Sequence, residues 1–492
     1  MSDDKAFVSP RTGARWIPVI GLEVHAQLKT RTKLFCGCAN TFGEEPNSFV
    51  CPVCTGQPGA MPVLNREAVE LAVRAALALD ATVAERSKFD RKNYFYCDLP
   101  KGYQISQYDQ PFCQGGGIEL PSGKRVRLNR IHMEEDAGKA IHDRGSVTLV
   151  DLNRAGVPLI ESVTEADMQS AEEAYQYLTA LKEILRYAGV SDCDMEKGSL
   201  RCDVNVSVHP EGEPWRTKVE IKNLNSFRNV QASIDYEISR QTAAYESGET
   251  ERFPVQETRL FDPDSGKTRT MRAKENESDY RYFPEPDLPP VYVDDAFRER
   301  QRGFLPELPA ARRERYQSEL GLSEYDAGVL ASAREVADFF EAALRAGAPA
   351  KGAANWIQND ILRGLSDPEI PSSTIDEMPL RPHQLAEVIA LVDAGTVHKG
   401  GARQVVDTLL REPGEVEAIV ESKGLRQVRD EGQIEGWCRE ALQGNDDIIA
   451  DVKAGKVKAL GALVGPVMRA SSGSANPKLV QQVLARLIAE EY

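Results

Sequence analysis

Four cysteines within nineteen residues form the clearest metal-ligand pattern of the sequence. Cys36 and Cys38 form a Cys-x-Cys pair, and after twelve intervening residues Cys51 and Cys54 form a Cys-x-x-Cys pair. Four thiolates in such short pairs suit a tetrahedral zinc ion, and a site closed by four sulfur ligands has no open position for a substrate. We therefore expect a structural zinc ion that braces the neighbouring segment. Two disulfide bonds or four core cysteines are the alternatives.

A second set of residues that could do chemistry begins just before these cysteines. Glu23 and His25 lie two residues apart in the alternating segment WIPVIGLEVHAQL. On a strand their side chains point the same way, about 6 to 7 Å apart. Glu134 and Glu135 precede a glycine turn in RIHMEEDAGKA, and alternation places Glu135 on the apolar side of that segment. A carboxylate on an apolar side needs a partner such as a cation.

Further acids and two cations follow in segments that also end strands. Glu161 closes the apolar run of DLNRAGVPLIES, Asp203 lies in RCDVNV, and Arg154 and Lys222 lie in or near these segments. Carboxylates with one histidine are hard ligands that suit magnesium or manganese held together with substrate phosphates. Any one of these acids could simply face water, as acids usually do. Several of them at strand ends favour a site for a cation and a phosphoryl group.

Absent motifs, the distribution of cysteines and the net charge exclude several classes of protein function. The 492-residue chain contains no Walker loop, no glycine-rich dinucleotide fingerprint and no G-x-S-x-G elbow. Neither an apolar run of membrane-spanning length nor a signal-peptide core is present, and the remaining cysteines are scattered, so we expect a cytoplasmic protein without a membrane partner. The net charge of −16 repels phosphate globally. Residues 451–492 carry six basic and three acidic side chains, which indicates either a nucleic-acid contact or a solvated helical face.

The pattern of apolar residues predicts an α+β fold followed by helices. Short alternating strands with one apolar and one polar face are interrupted by helices over residues 66–79 and 170–188 and by a third after Ser226. The proline-rich segment YFPEPDLPPVYV and the segment REPGE interrupt this pattern. The predicted domains are an antiparallel-sheet catalytic cradle with the zinc knot at residues 1–293, a helical domain at 294–412 and a helical tail at 413–492.

Longer motifs add a resemblance to a known family. They are IGLEVHAQLKTRTKLFCGC, YFYCDLPKGYQISQYDQP, HMEEDAGK, DLNRAGVPLIE, LRCDVNVSV, EIKNLNSF and GKVKALGALVGPVMRASSGSANP. From about residue 17 to the C-terminus the chain resembles the GatB family, one of the subunit types of the tRNA-dependent aspartyl/glutamyl amidotransferase. The longer motifs are highly specific.

The resemblance implies a carbon–nitrogen ligase of the translation machinery. In that family ATP phosphorylates the side-chain carboxylate of glutamate or aspartate misattached to tRNA-Gln or tRNA-Asn, and ammonia from the glutaminase subunit then displaces phosphate. The implied cofactors are ATP, Mg²⁺ and structural Zn²⁺. The implied partners are subunits A and C in a heterotrimer, misacylated tRNA bound by the helical middle and the tail, and an aminoacyl-tRNA synthetase as a further candidate.

The resemblance also implies residue roles. The divalent cations would be held by Glu23, His25, Glu135 and Glu161. Asp203 and Glu220 would lie beside them, whereas Arg154 and Lys222 would contact phosphate. The four cysteines match the zinc-containing members of the family.

Two other function classes stay open at this point. In a non-enzymatic RNA-binding module, the zinc knot and the tail would bind tRNA and the acids would line a solvated face. A pure scaffold for an enzyme partner is the third interpretation. The RNA-binding module predicts no ATP use and leaves the acids at the strand ends unexplained. A test for ATP consumption after mixing with subunits A and C separates the three interpretations.

Overall fold

The computed structural model describes residues 6–141, 145–273, 277–428, 430–454, 456, 459–471 and 474–491. It divides the chain into two compact units, Met1–Pro309 and Ala310–Tyr492. The strands, all in the first unit, are β1 (Phe7–Val8), β2 (Arg15–Gln27), β3 (Thr82–Val83), β4 (Arg86–Ser87), β5 (Asp90–Asn93), β6 (Tyr103–Ser106), β7 (Cys113–Gln114), β8 (Gly117–Glu119), β9 (Arg125–Glu135), β10 (Lys139–Ile141), β11 (Leu149–Asp151), β12 (Pro158–Thr164), β13 (Leu200–Pro210), β14 (Val219–Lys222), β15 (Glu257–Asp262), β16 (Lys267–Ala273), β17 (Phe283–Pro284) and β18 (Val291–Tyr292).

Helices cover one face of the sheet in the first unit and make up the second. They are α1 (Arg66–Ala78), α2 (Ala171–Tyr187), α3 (Phe227–Glu246), α4 (Asp295–Arg302), α5 (Pro309–Ser318), α6 (Glu324–Leu330), α7 (Arg334–Arg345), α8 (Ala350–Trp356), α9 (Leu362–Gly364), α10 (Pro382–Asp393), α11 (Lys399–Arg411), α12 (Val416–Ser422), α13 (Glu431–Leu442), α14 (Asp446–Lys453), α15 (Leu460–Ala470) and α16 (Pro477–Glu491). The predicted α+β class, with an N-terminal sheet and then helices, is confirmed.

The main sheet runs in the order β16-β15-β14-β13-β2-β12-β9-β7-β3, with β1 paired to β2 and β8 to β9. Its neighbouring strands are antiparallel except β14 and β15, which are parallel and are joined through α3. A parallel pair needs such a crossover, because a tight hairpin reverses the chain direction and can join only antiparallel strands. Five neighbouring strands at the middle of the sheet, in the order β14-β13-β2-β12-β9, carry the two groups of the site.

Alternation along β2 gives the sheet its two faces. Ile20, Leu22 and Val24 are at most 1% exposed and belong to the core beneath α1, α2 and α3. Glu23 and His25 point to the opposite face, as the sequence predicts. The helices α1 and α3 begin after Asn65 and Ser226, whose side chains accept hydrogen bonds from the backbone N–H groups of Glu67 and Asn229.

The second unit contains two hydrophobic clusters. One extends from Tyr316 to Leu425, and the other extends from Ile434 to Ile488. The three-domain division at residues 293 and 412 stays a prediction. Among the described residues, no helix is both long enough and apolar enough to cross a membrane.

Candidate active site

A cavity of about 430 Å³ lies on the polar face of the central strands. Its wall is rich in charge: the acids are Glu23, Glu134, Asp136, Glu161, Asp203 and Glu220, and the cations are Lys92, Arg130, Arg201 and Lys222. Tyrosines from the segments around β5, β6 and residue 281 close another side. The volume lies within the range of sites for small ligands.

His25, Glu134 and Glu161 lie close to one another in the lining of this cavity. The register of the sheet places Glu161 of β12 beside both His25 of β2 and His132 of β9. The Nε2 atom of His25 lies 3.4 Å from Oε2 of Glu161 and 3.5 Å from Oε1 of Glu134. One ligand atom from each of His25, Glu134 and Glu161 lies within 4.8 Å of the other two, a spacing that one cation could bridge.

Charges hold this group in a defined protonation state. Burial alone would raise the pKa of Glu161, but the charges of His132 and His25 hold it well below its ordinary value. Burial alone would lower the pKa of His132, but Glu161, at 2.9 Å from its Nε2 atom, raises it to about 9. The group therefore presents an ionised carboxylate, which is the form that binds a divalent cation.

Glu23, Asp203 and Glu220 form a second acidic group next to the first. Their nearest ligand atoms lie within 4.8 Å of one another. Lys222 contacts Asp203 and lies 3.5 Å from Oε1 of Glu220. Burial, together with the charges of Glu161 and the two acids of this group, raises the pKa of Glu23. The amide of Asn205 donates to Glu23 at 2.8 Å.

Two predicted site residues lie outside both groups. Glu135 points away from the cavity, to the side of the sheet that alternation predicts, where it pairs with the buried ammonium of Lys101 and accepts from the backbone N–H of Ile105 at 2.9 Å. The guanidinium of Arg154 donates to the backbone oxygens of Ala137 and Gly138 at 3.0 and 2.6 Å. Both residues fix segments that flank the cavity.

The cysteine group lies outside the cavity lining. One sulfur atom from each of Cys36, Cys38, Cys51 and Cys54 lies within 4.8 Å of the others, and all nine cysteines of the sequence are free thiols. A hydrogen bond from Cys36, another from the backbone, and the ammonium of Lys33 lower the pKa of Cys54 to about 4. The four sulfur atoms are not bonded to one another in this structure, and their number and spacing suit zinc.

Lys33 connects the cysteine group to the site. Its Nζ atom donates to Cys54 Sγ at 3.7 Å, to Phe49 O at 2.7 Å and to Leu152 O at 3.3 Å. Leu152 belongs to the loop that leads into β12 and thus to Glu161. Lys33 therefore links the cysteine group to the loop before β12, whereas the bracing of the segment IGLEVHAQL stays a prediction.

Comparisons with known proteins agree with this arrangement. Residues 18–299 match the family model described as the GatB/GatE catalytic domain, and residues 338–488 match the GatB domain. The chain belongs to the GatB family of aspartyl/glutamyl-tRNA(Asn/Gln) amidotransferase subunits. The catalytic-domain match includes both groups of the cavity and the four cysteines.

Similar curated relatives are named as this same subunit type of the aspartyl/glutamyl-tRNA(Asn/Gln) amidotransferase, and they match along nearly their whole length. The Geobacter sulfurreducens protein is 52% identical over 476 residues, which cover 95% of this chain and 98% of the relative. The proteins of Thermoanaerobacter sp. and Persephonella marina are each 51% identical, over 471 and 476 residues, and 98% and 99% of their lengths are covered. Their coverage of this chain is 95% and 96%.

Sequence reasoning missed several residues of the cavity in this GatB family member. His132 lies on the same face of β9 as Arg130 and Glu134, two residues from each. The alternation of polar and apolar residues in RIHMEE carries that signal. Arg201 also lines the cavity and shares the polar face of β13 with Asp203, so the alternation in RCDVNV carries its signal. Lys92 lines the cavity too, but its segment shows no comparable alternation.

Proposed function

We propose that this chain is the subunit of a tRNA-dependent amidotransferase that activates a side-chain carboxylate. Its substrates are glutamate misattached to tRNA-Gln and aspartate misattached to tRNA-Asn. ATP phosphorylates the carboxylate, and ammonia released by the glutaminase subunit displaces phosphate and leaves the amide. The observation that supports this most directly is the His25–Glu134–Glu161 group. It offers the hard ligand atoms that suit a magnesium ion, and it lines a cavity of suitable size for a small ligand.

The residue types suit this chemistry. A carboxylate resists attack by ammonia, whereas an acyl phosphate accepts it and releases phosphate as the leaving group. Magnesium ions, when bound, neutralise the phosphates of ATP and relieve their repulsion from the substrate carboxylate. His25, Glu134 and Glu161 would hold one such ion, and Glu23 and the acids beside it would hold another.

The other side chains of the cavity act by charge and position. Lys222, next to Asp203, places a positive charge at the wall where a phosphoryl group can lie. We propose Glu134 rather than Glu135 as a cation ligand, because Glu135 faces away from the cavity and pairs with Lys101. Arg154 holds the turn before β12 instead of contacting phosphate.

Zinc and the other partners complete the proposal. The four cysteines hold a structural zinc ion, which supplies folding energy and no catalysis. Subunits A and C assemble with this chain in the cytoplasm, and the first of them is the glutaminase that supplies ammonia. The helical second unit binds the tRNA backbone with its basic end, and an aminoacyl-tRNA synthetase is a further candidate partner.

Reconstitution of the complex tests this function. This chain is mixed with subunits A and C, glutamine, ATP, magnesium and Glu-tRNA-Gln or Asp-tRNA-Asn, and both ADP and amidated tRNA are measured. We expect ADP formation that requires misacylated tRNA and that the Glu161→Gln variant loses. The variant Glu119→Gln is the control, since Glu119 is an exposed acid of β8 outside the cavity lining. tRNA binding without ATP consumption would favour the non-enzymatic RNA-binding module.

A further inference from the structure

One wall of the cavity carries buried polar atoms that have no hydrogen-bond partner among the described residues. They are Nε2 of Gln107, Nε of Arg130 and Nδ1 of His132. All three side chains line the cavity, and Arg130 and His132 lie two residues apart on β9. A buried polar atom without a partner destabilises a fold, and a ligand atom that pairs with it removes that loss. This wall is therefore prepared for a polar ligand.

The orientation of the Gln107 amide is fixed by the backbone. Its Oε1 atom accepts hydrogen bonds from the N–H groups of Phe112 at 3.2 Å and Met133 at 3.0 Å. Only the amide oxygen can accept, so the amide nitrogen must occupy the other position. The side chain is 3% exposed. Gln107 thus holds N–H donors in place at the cavity wall without using them.

Arg130 differs from other cations of the cavity. Arg201 lies 2.8 Å from Asp136, and Lys222 is paired with Asp203. Lys92 packs against tyrosines, 4.9 Å from the ring centre of Tyr280. Among the described residues, the guanidinium of Arg130 has neither an ion-pair nor a hydrogen-bond partner. This planar group is permanently charged and matches a carboxylate with two parallel donors.

These donors face a cavity whose other walls repel anions. The acids that line it repel a free carboxylate unless cations offset their negative charge. Arg130 and Gln107 offer charge and N–H groups near His132, which bonds to Glu161. A carboxylate bound to Arg130 and Gln107 would therefore lie beside the proposed cation group.

We propose that Arg130 and Gln107 form the subsite that binds the side-chain carboxylate of the misattached amino acid. This inference rests on the proposed function and adds the residues that recognise the acid. The subsite distinguishes a carboxylate from the product amide, because the amide nitrogen cannot accept hydrogen bonds from two donors. A phosphate group of ATP is the other oxygen anion that could occupy this place.

Two substitutions test the subsite with little change of shape. Arg130→Lys keeps the charge and removes the two-donor fork. Gln107→Glu keeps the oxygen that accepts from Phe112 and Met133 but places a negative charge where the donors were. Arg127→Lys is the matched control on the same strand, because Arg127 is exposed and pairs with Asp167 at 2.7 Å outside the cavity. Thermal unfolding of each complex checks that the fold is kept.

The decisive measurement is equilibrium binding of the complete complex without ATP or glutamine. Its probes are Glu-tRNA-Gln, Gln-tRNA-Gln and deacylated tRNA-Gln. We expect the wild-type complex to bind Glu-tRNA-Gln more tightly than Gln-tRNA-Gln. Arg130→Lys and Gln107→Glu should each weaken Glu-tRNA-Gln at least about tenfold and abolish the preference, since hydrogen bonds to charged groups are the strong ones. The affinity of both variants for deacylated tRNA, and every affinity of the Arg127→Lys variant, should stay within about twofold of wild type. The KM for ATP, measured separately during turnover, should do the same.

Each other outcome overturns the inference in a distinguishable way. Variants that keep the preference for Glu-tRNA-Gln would show that the carboxylate binds elsewhere. A raised KM for ATP with unchanged Glu-tRNA-Gln affinity would assign the subsite to phosphate. Equal weakening of deacylated tRNA would show a contact with the tRNA itself. A wild-type complex that binds no tRNA would overturn the proposed function, and the inference with it.

Discussion

Among the donor groups of the first unit, the cysteine group and the His25–Glu134–Glu161 group are built in different ways. Cys36, Cys38, Cys51 and Cys54 come from one short segment and lie outside the cavity lining. His25, Glu134 and Glu161 come from three separate strands, β2, β9 and β12, and they line the cavity. We expect the cysteine group, called the closed group below, to hold a structural zinc ion, and the His25–Glu134–Glu161 group, called the open group, to leave room for a substrate. Ligand type and openness separate a structural centre from a chemical one.

The largest expected effect is loss of the open group. Substitution by alanine of His25 or Glu161, or of Glu23 in the neighbouring acidic group, should lower amide formation by about 10³-fold or more, because charge stabilisation at the phosphoryl group is lost. The glutaminase activity of the partner should remain. ADP and amidated tRNA are measured in the reconstituted complex. Near-normal ADP production by Glu161→Ala at limiting magnesium would contradict the role of this group.

A comparison of Glu134→Gln with Glu135→Gln sharpens that result. Both should reduce amide formation, but for different reasons. Glu134→Gln should raise the magnesium concentration needed for half-maximal activity, since Glu134 lies 3.5 Å from His25 in the proposed cation group. Glu135→Gln should leave that concentration unchanged and lower the melting temperature, because Lys101 loses its charged partner. A magnesium effect confined to Glu135→Gln would exchange their roles.

The closed group should affect stability before chemistry. We expect one zinc ion per chain and a melting temperature lowered by several degrees in Cys51→Ser/Cys54→Ser, since metal binding is coupled to folding. Cys97→Ser is the control, because Cys97 is an exposed thiol outside the group. Metal analysis and thermal unfolding measure both effects. Protein purified without chelator that contains no zinc would refute the site.

Neither donor group lies in the described part of the second unit, so its effects should be on binding. Deletion of the tail, residues 413–492, should raise the KM for aminoacyl-tRNA and spare ATP-linked chemistry at saturating tRNA. The structure offers a milder change, because Lys453, Arg469 and Lys478 are exposed there. Reversal of these three charges should weaken tRNA binding about tenfold and make its salt dependence shallower. Glutamine at the same positions should give about half the effect on the binding free energy.

Unchanged affinity and salt slope after charge reversal would give the tail another role, such as contact with a synthetase.

Deletion of residues 413–492 also removes Val416 and Val420 from the cluster that extends from Tyr316 to Leu425. A deletion that begins after residue 429 therefore tests the last cluster alone.

The smallest expected effect on amide formation concerns a buried carboxylate that two arginine side chains surround. Glu237 of α3 is fully buried, 2.9 Å from Arg240 and 3.2 Å from Arg259. Burial alone would raise its pKa, but hydrogen bonds and charge from Arg240 lower it below its ordinary value. Its ionised form therefore adds stability above the pKa of an unfolded glutamate, about 4.3. This stability is lost as the pH falls through the lower folded value.

Glu237→Gln should accordingly cost about 3 kcal/mol of unfolding free energy at pH 7, because half-buried Arg240 loses its carboxylate partner and buried Arg259 keeps only Glu257 as a counter-charge. The difference from wild type should shrink below pH 4. Denaturant unfolding at pH 7 and at pH 3.5 measures it. A difference that is equal at both pH values would contradict the assignment, while amide formation by the variant should change little.

The sequence predicted the closed group completely and the open group only in part. All four cysteines follow from local spacing, and the strand alternation of Glu23 and His25 is confirmed. Which residues lie beside Glu161 depends on strand order and register. The pairing of β12 with β9 brings His132 and Glu134 close to Glu161. Local patterns do not specify that register. The choice between Glu134 and Glu135 depends on which face of β9 borders the cavity.

The same distinction applies to the fold. The helices at residues 66–79 and 170–188 and the helix after Ser226 follow from caps and apolar stripes, and the structure places them within one residue of the prediction. The parallel pairing of β14 with β15 depends on the path of α3 across the sheet. The unpartnered donors of Gln107 and Arg130 depend on the backbone of other segments, which no local pattern reveals.

The central claim is that the cavity of this chain activates the substrate carboxylate by phosphorylation. The most direct test uses Glu-tRNA-Gln whose side-chain carboxylate carries ¹⁸O at both oxygens, together with unlabelled ATP in the reconstituted complex. Formation of an acyl phosphate places a carboxylate oxygen in the bond to phosphorus, and attack by ammonia breaks the carbon–oxygen bond. We predict one ¹⁸O atom in the inorganic phosphate for each amide formed, and neither product with Glu161→Gln. Amidated tRNA accompanied by unlabelled phosphate would contradict the account.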